Sequence, residues 1–279
     1  MPHVMLDQGT INYRVVGPDD SPHPPVLFVH GILVDHRLWL KVADVLAANG
    51  FRCILPDLPL GSHTTPVSDD ALRTPALVAE LLHDLMVSLD LADVTLVGND
   101  TGGGLSQLLV DAHPERVGRL VLTNCDAFEQ FPPFPFNIVF AAMRGPRLIR
   151  ALAGPMRIPA IRHSPLGYGL LLNRDDALTA SWIAPCISDQ RIAQNLATLL
   201  RGVRATDLTD VATRLPRFDK PVTVVWGMAD TSFTPALGRR LAALFPNSTW
   251  IEVPGARTFV SLDAPQAVVD AIATVSATP

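Results

Sequence analysis

The chain has 279 residues, of which 48% are hydrophobic and 18% charged, and its formal net charge is −5. This composition excludes a disordered chain, and the negative charge argues against a nucleic-acid-binding protein, which normally carries a basic surface. No apolar run approaches the roughly 18 residues of a membrane-crossing helix, and the N-terminal stretch lacks the pattern of a secretion signal. The three cysteines (Cys53, Cys125 and Cys186) form no zinc motif. We therefore expect one large cytoplasmic domain, or a core with an insertion, without metal, cofactor or membrane contact.

Strand and helix patterns alternate along the first half of the chain. Two strand-like runs at 3–9 and 11–17, joined at Gly9 and Thr10, predict an antiparallel pair. Continuous apolar runs, typical of strands buried on both faces of a parallel sheet, follow at 24–31, 51–59, 94–100 and 116–126. Helical spacing predicts helices at 38–49, 71–89 and 101–113. This alternation indicates an α/β fold with a mostly parallel sheet and helices on both faces.

The alternation breaks between residues 131 and 220 and then resumes. Short helical pieces with many prolines fill this stretch, and its best-marked helix is predicted to begin at Ser188, as N-cap, and to end near Gly202. Strands at 221–227 and 249–255 follow, with helices after them at 235–245 and 264–276. We therefore predict a core formed by residues 1–130 and 221–279, with a helical cap domain at 131–220.

The predicted cap is the basic part of the chain. Residues 131–220 hold eleven arginines and one lysine against six aspartates and no glutamate. This surplus fits either a solvated outer surface or a cationic throat that attracts an anionic substrate. The run of phenylalanines and prolines at 128–140 fits either an apolar entrance or ordinary packing. Together these features favour a moderately hydrophobic small molecule as the partner, and a monomer or homodimer.

The sequence Gly98-Asn99-Asp100-Thr101-Gly102 stands where a predicted strand turns into a helix. Glycines two residues before and after a central residue permit a strained backbone and close strand–helix contact, the geometry of a nucleophile elbow. Such a turn raises the central side chain above the carboxyl edge of the sheet, where ligands bind in folds of this kind. The alternative is a helix N-cap, for which aspartate is also favoured. The flanking strand and helix favour the elbow.

These features resemble the α/β-hydrolase superfamily over nearly the whole chain. Residues 28–31 (FVHG) look like its oxyanion loop, and residues 226–230 (WGMAD) are similar to its late acid-bearing turn. An aspartate at the elbow resembles the branch of the epoxide hydrolases and haloalkane dehalogenases, whose cap domain occupies the place of 131–220. The resemblance implies that Asp100 is the nucleophile, with an oxyanion hole formed by the backbone N–H groups of Ile32 and Thr101.

An aspartate nucleophile divides the reaction into two halves. A carboxylate with a pKa near ~4 is already ionised at neutral pH and can displace a leaving group from saturated carbon. The resulting enzyme ester must then be hydrolysed, which requires a general base. The resemblance places that base, a histidine, at the position of Thr258, whose hydroxyl can hold a water but cannot take a proton at neutral pH.

No histidine occurs after His163, so the base must come from elsewhere. We predict His63, on the loop after the fourth strand, as the substitute base; the alternative is an exposed loop histidine. His30 belongs to the oxyanion loop, and we predict that it anchors this loop at the substrate site.

The supporting acid and the groups that activate the substrate are less well defined. Asp230 and Asp126 follow strands at the two positions where the superfamily carries its acid, although either fits a turn residue. Epoxide hydrolases usually activate the epoxide oxygen with two cap tyrosines, and Tyr168 is the one tyrosine of the predicted cap. It fits either one half of such a pair at the substrate site or ordinary packing within the cap. Haloalkane dehalogenases carry a tryptophan directly after the nucleophile, where this chain has Thr101.

Three functions fit this pattern. The first is hydrolysis of an epoxide, an alkyl halide or an ester-like molecule through nucleophilic Asp100. The second is a lyase, isomerase or cyclase reaction in which Asp100 shuttles a proton. The third is a ligand-binding protein that kept the pocket without turnover, since the fold alone does not decide among them.

Overall fold

The computed structural model describes residues 1–173 and 175–277, and within them eight strands form a single sheet. The strands are His3–Leu6 (β1), Gly9–Val16 (β2), Val26–Val29 (β3), Cys53–Pro56 (β4), Val94–Asp100 (β5), Val117–Cys125 (β6), Val222–Gly227 (β7) and Ser248–Val253 (β8). Their order is β1-β2-β4-β3-β5-β6-β7-β8. β2 is antiparallel to both β1 and β4, and the other neighbours are parallel. The predicted α/β fold with a mostly parallel sheet and an antiparallel N-terminal pair is confirmed.

Helices follow most of the parallel strands. They are Leu40–Ala48 (α1), Pro75–Ser88 (α2), Thr101–Ala112 (α3), Phe136–Ala142 (α4), Pro146–Ala153 (α5), Pro159–Arg162 (α6), Asp176–Ser188 (α7), Gln190–Gly202 (α8), Asp207–Ala212 (α9), Pro235–Ala242 (α10), Val260–Asp263 (α11) and Pro265–Ser276 (α12). None of the helices in the described part of the chain has both the length and the apolar character that crossing a membrane requires.

The central strands are buried on both faces. Every residue of β3 and β4 is buried, as are the residues of β5 before Asp100. These strands are continuous apolar runs because helices cover the sheet from both sides, and that burial is the main contribution to stability. Asp100 and Cys125 end neighbouring strands and are paired in register, so both lie at the carboxyl edge of the sheet.

Two predicted boundaries are wrong. Gly9 and Thr10 belong to β2 and pair with Leu6 and Met5, so the hairpin turns at residues 7 and 8 instead. Ser188 is the last residue of α7, and Asp189 is the N-cap of α8, with its carboxylate accepting the N–H of Arg191. Serine and aspartate both suit this position, and the structure uses the residue whose side chain reaches the free amide.

Helices α4 to α9 fill the chain between β6 and β7, the region we name the cap segment (131–220). Hydrogen bonds join it to the rest of the molecule. The indole N–H of Trp182 donates to Asp35 at 3.0 Å, and the guanidinium of Arg257 donates to the carbonyl oxygen of Gly169 at 2.9 Å. The cap segment therefore packs directly over the carboxyl edge of the sheet.

Candidate active site

Asp100 lies on a strained turn between β5 and α3. Its φ is 54° and its ψ is −132°, a backbone conformation that costs a non-glycine residue free energy and persists only where the surroundings enforce it. The two glycines explain how the turn is built. A Cβ on Gly98 would lie 2.6 Å from the Ser106 hydroxyl, and one on Gly102 would overlap the carbonyl oxygen of Val29. This is the geometry of a nucleophile elbow rather than that of an ordinary N-cap.

The backbone N–H groups of Thr101 and Ile32 lie close enough to the Asp100 carboxyl to lower its pKa. These are the two donors that the sequence predicts for the oxyanion hole. A Cβ on Gly31 would overlap Oδ2 of Asp100, so the carboxylate packs against this glycine. The loop after β3 and the first turn of α3 thus hold Asp100 from two sides.

Burial sets the protonation of Asp100. Loss of solvation, with a smaller contribution from the charge of Asp230, raises the pKa of this carboxyl to about 7, although the N–H groups of Thr101 and Ile32 act to lower it. Near neutral pH the group therefore exists in both the charged and the neutral form, so it is able to take up and release a proton.

The turn after β8 places Thr258 against Asp230. The Thr258 hydroxyl donates to Oδ2 of Asp230 at 2.7 Å, and the side-chain amide of Asn124 donates to the same oxygen at 2.8 Å. Asn99, next to Asp100, donates to the carbonyl oxygen of Thr258 at 2.7 Å and so ties this turn to the elbow. Asp230 thus faces residue 258 as the resemblance implies, but its partner is a hydroxyl.

Asp230 is strongly held. Its Oδ1 accepts the backbone N–H groups of Ser232 and Phe233 at 2.8 and 3.0 Å. Burial nevertheless raises the pKa of this carboxyl to about 6, because these donors offset only part of the lost solvation.

The structure does not bring His63 to Asp100. Its ring is buried, Nδ1 accepts the N–H of Gly61 at 3.3 Å, and Nε2 lies 3.2 Å from the side-chain oxygen of Asn195. Burial lowers the pKa of His63 to about 4. Both ring nitrogens therefore have partners inside the core. The prediction that His63 is the substitute base is wrong, and so is the alternative that it is an exposed loop histidine.

His30 fixes the oxyanion loop. Its Nε2 accepts the N–H of Leu58 at 2.9 Å, which leaves the proton on Nδ1 to donate to the carbonyl oxygen of Gly31 at 2.9 Å. Burial lowers the pKa of this imidazole and keeps it neutral. His30 therefore positions Gly31 and Ile32, and it is not among the described residues that line the pocket.

Asp126 lies beneath the elbow instead of in the pocket. Its Oδ2 accepts the Thr101 hydroxyl at 3.0 Å, and its backbone N–H donates to the carbonyl oxygen of Asp100 at 3.3 Å. Burial, with the charge of Asp100, raises the pKa of Asp126 well above its usual range. A neutral carboxyl at this place supports the first turn of α3 without adding a second charge beside Asp100.

An apolar pocket opens above Asp100, between the sheet edge and the cap segment. It encloses about 560 Å³ of space free of protein atoms, including its mouth. Its described lining residues are Ile32, Leu33, Asp100, Pro132, Pro133, Phe136, Val139, Phe140, Met143, Met156, Leu166, Gly167, Tyr168 and Leu171. The apolar entrance predicted from residues 128–140 is confirmed in part, since α4 forms one wall. Sequence reasoning does not identify the lining residues Leu33, Met156 and Leu171, because apolar residues at such positions are equally typical of a hydrophobic core.

The pocket contains few polar groups. Among the described lining residues only Asp100 and Tyr168 are titratable, and none is an arginine or a lysine. The prediction of a cationic entrance that attracts an anionic substrate is therefore wrong for the described part of the pocket. Arg174, one of the arginines of the cap segment, lies outside the described residues. The Tyr168 hydroxyl donates to the carbonyl oxygen of Leu33 at 2.5 Å, so its proton is already engaged.

Known proteins share this architecture. A family model described as the alpha/beta hydrolase fold matches residues 24–265. A 2-hydroxy-6-oxononadienedioate/2-hydroxy-6-oxononatrienedioate hydrolase of Paraburkholderia xenovorans is 29% identical, with 80% of this chain and 76% of that protein covered. Haloalkane dehalogenase 2 of Mycobacterium bovis is 28% identical, with 95% and 91% covered.

Solved structures show the same fold. A haloalkane dehalogenase loop variant from Bradyrhizobium elkanii superposes with a TM-score of 0.76 at 21% identity, with 99% of this chain and 97% of that chain covered. The enol-lactonase from Burkholderia xenovorans LB400 gives a TM-score of 0.74 at 18% identity, with 98% and 99% covered. Because the family model spans most of the sequence, this chain belongs to the α/β-hydrolase fold family, and its relatives include hydrolases and haloalkane dehalogenases.

Proposed function

We propose that this chain is an enzyme of the hydrolase type in which Asp100 attacks an electrophilic carbon of a small, largely apolar molecule. The observation that carries the proposal is the carboxylate at the elbow, which faces an apolar pocket and has the backbone N–H groups of Thr101 and Ile32 beside it. The hydrolase and haloalkane dehalogenase relatives support the same chemistry.

In the first half of the reaction, a carboxylate oxygen of Asp100 forms a bond to the substrate carbon. The electron pair of the broken bond goes to the leaving atom. A halide departs with it, whereas the ring oxygen of an epoxide stays on the neighbouring carbon and takes a proton from water. The walls contributed by α4 and by residues 166–171 would hold the alkyl part of the substrate. The N–H groups beside Asp100 would then stabilise the oxyanion formed when water attacks the ester carbonyl.

The second half of the reaction lacks its usual base. The described residues that line the pocket include no histidine, and Thr258 directs its proton to Asp230. Attack by water on the ester without a base is slow, because the water must lose a proton as it attacks. We therefore expect the ester of Asp100 to accumulate instead of turning over quickly.

Intact-mass spectrometry after incubation with a primary alkyl bromide and with a terminal alkyl epoxide tests this proposal. The wild type should gain the mass of one alkyl or hydroxyalkyl group, and the Asp100→Asn variant should gain none. A wild type that neither gains mass nor forms alcohol or diol would contradict the proposal.

Proton transfer by Asp100 is a second candidate function. Two observations favour it: burial raises the pKa of Asp100 to about 7, and the described pocket residues offer no free side-chain donor for a leaving group. A carboxyl whose pKa lies near the working pH is well suited to take a proton from carbon and return it elsewhere. An apolar ketone with an acidic C–H should then exchange that hydrogen for deuterium from the solvent, which NMR measures, and no protein adduct should form. Asp100→Asn should abolish the exchange.

A rise of the melting temperature with a ligand, but no exchange and no adduct, would instead indicate a protein that only binds its ligand.

A further inference from the structure

Two histidines and two glutamates meet on the surface between α2 and the chain that follows α3. Glu80 and His83 lie three residues apart on α2 and therefore share one face of that helix. His113 is the residue after α3, and Glu115 lies in the short 3-10 turn Pro114–Arg116. The whole length of α3, about 18 Å at 1.5 Å per residue, separates this cluster from Asp100.

The side chains of the cluster lie in contact with one another. The imidazoles of His83 and His113 stack with ring centroids 3.9 Å apart and an interplanar angle of 14°. Nε2 of His113 lies 2.8 Å from a carboxylate oxygen of Glu80, and Nε2 of His83 lies 3.4 Å from one of Glu115. One ligand atom each from Glu80, His83 and His113 fall within 4.8 Å of one another.

We propose that Glu80, His83, His113 and Glu115 bind one divalent transition-metal ion, and that Zn²⁺ is the ion that fits. Imidazole nitrogens with carboxylate oxygens are typical zinc ligands, whereas Mg²⁺ and Ca²⁺ prefer oxygen alone. Tetrahedral bonds of about 2.0–2.1 Å place neighbouring ligand atoms about 3.3 Å apart. Two of the separations are close to that value, that between His113 and Glu80 and that between His83 and Glu115. The stacked imidazoles would have to rotate apart so that one nitrogen of each faces the ion, and the half-exposed carboxylates would follow.

A second group of potential ligands, Asp35, His36 and Asp57, is less suitable. The carboxylate of Asp35 is already bound by the guanidinium of Arg37 at 2.5 Å and by the indole N–H of Trp182 at 3.0 Å. A metal there would have to displace a salt bridge. Among the described residues, the ion pairs of the cluster between α2 and α3 include no arginine or lysine that a metal would have to displace.

The bound ion would link α2 to the end of α3. Because the ligands come from segments about thirty residues apart, the unfolded chain does not present them together, and binding stabilises the folded state by mass action. The site is independent of the reaction at Asp100, so metal binding should leave the reactivity of the elbow unchanged.

Isothermal titration of tag-free, chelator-treated protein with zinc chloride tests the site. The wild type should bind one Zn²⁺ per chain, and its melting temperature should rise with zinc concentration. His83→Gln and His113→Gln should each weaken binding at least tenfold, whereas His3→Gln, a change of an exposed histidine on β1, should bind as the wild type does. A wild type that binds no zinc, or variants that all bind alike, would overturn the proposal.

Two further measurements keep the test independent of folding defects. Glu115→Gln changes a well-exposed carboxylate (59% side-chain exposure) and should weaken binding without affecting stability in the absence of metal. Co²⁺ in place of Zn²⁺ should give the intense visible absorption of a tetrahedral site. A weak octahedral spectrum, or unchanged affinity of Glu115→Gln, would contradict the four-residue coordination.

Discussion

The hydroxyl of Thr258 donates a hydrogen bond to Asp230, and this side chain presents no basic nitrogen to Asp100. The sequence predicts this absence directly, since the residue type is read from the chain. It does not predict where His63 lies, because that depends on a contact with Asn195, 132 positions away. The position of a side chain can therefore be foreseen where it follows from a local turn, as at Asp100, and not where it follows from long-range packing.

Restoring an imidazole at position 258 tests the missing base. Thr258→His should place a base next to Asp230 and speed hydrolysis of the ester, so that the accumulated adduct falls and the alcohol product rises. Rapid-quench mass spectrometry follows both quantities. Thr258→Val, which has a similar volume and no proton acceptor, is the matched control and should leave the adduct in place. Equal adduct levels in both variants would show that the base is not the limiting group.

The raised pKa of Asp100 predicts how stability depends on pH. The unfolded chain ionises this carboxyl near pH 3.8 and the folded chain near pH 7, so the folded state binds more protons in between and stability falls as pH rises through that window. Asp100→Asn removes the titrating carboxyl and with it this loss of stability at high pH.

The free energy of unfolding of the variant should therefore exceed that of the wild type at pH 8, by on the order of a few kcal/mol, and the difference should shrink towards pH 4. Urea unfolding at pH 4, 6 and 8 measures it; a difference that is constant with pH would contradict the raised pKa.

At the scale of elements, the elbow depends on close contact between β3, β5 and α3. The sequence predicted these three elements, because apolar runs and helical spacing are local signals. The N-cap of α8 lies one residue from its predicted position and the hairpin turn two residues from its own, since neighbouring polar residues suit such positions equally well. The role of Gly98 and Gly102 in the turn can be predicted, because the close contact between strand and helix that they permit belongs to the same short motif.

Gly102→Ala should disrupt this contact. The added Cβ would overlap the carbonyl oxygen of Val29, which is backbone and cannot rotate away, so we expect a loss of at least about 3 kcal/mol in the free energy of unfolding. Gly145→Ala is the control, because a Cβ at Gly145 has no neighbour within 4 Å. Urea denaturation compares the two variants. Similar stabilities would mean that β3 does not pack on α3 as described.

At the scale of the whole molecule, the cap segment covers the pocket and is joined to the core by hydrogen bonds such as that from Tyr168 to Leu33. Composition and periodicity predicted an insertion of helices at this point of the chain. They did not predict which of its residues face Asp100, because that depends on how the helices are oriented over the sheet.

Tyr168→Phe separates two roles of this tyrosine. As a link between cap segment and core, its loss should reduce stability by about 1–2 kcal/mol, because the carbonyl of Leu33 loses its donor. Adduct formation with both the alkyl bromide and the epoxide should persist. Loss of the epoxide reaction alone would show that the hydroxyl activates the epoxide oxygen instead.

The central claim is that Asp100 is the reacting group, and peptide mapping after incubation with an alkyl bromide tests it most directly. Tandem mass spectrometry of the digested wild type should locate one alkyl ester on Asp100, and the corresponding peptide of Asp100→Asn should be unmodified. An adduct on any other residue, or an unmodified Asp100 in protein that has formed alcohol, would contradict the account.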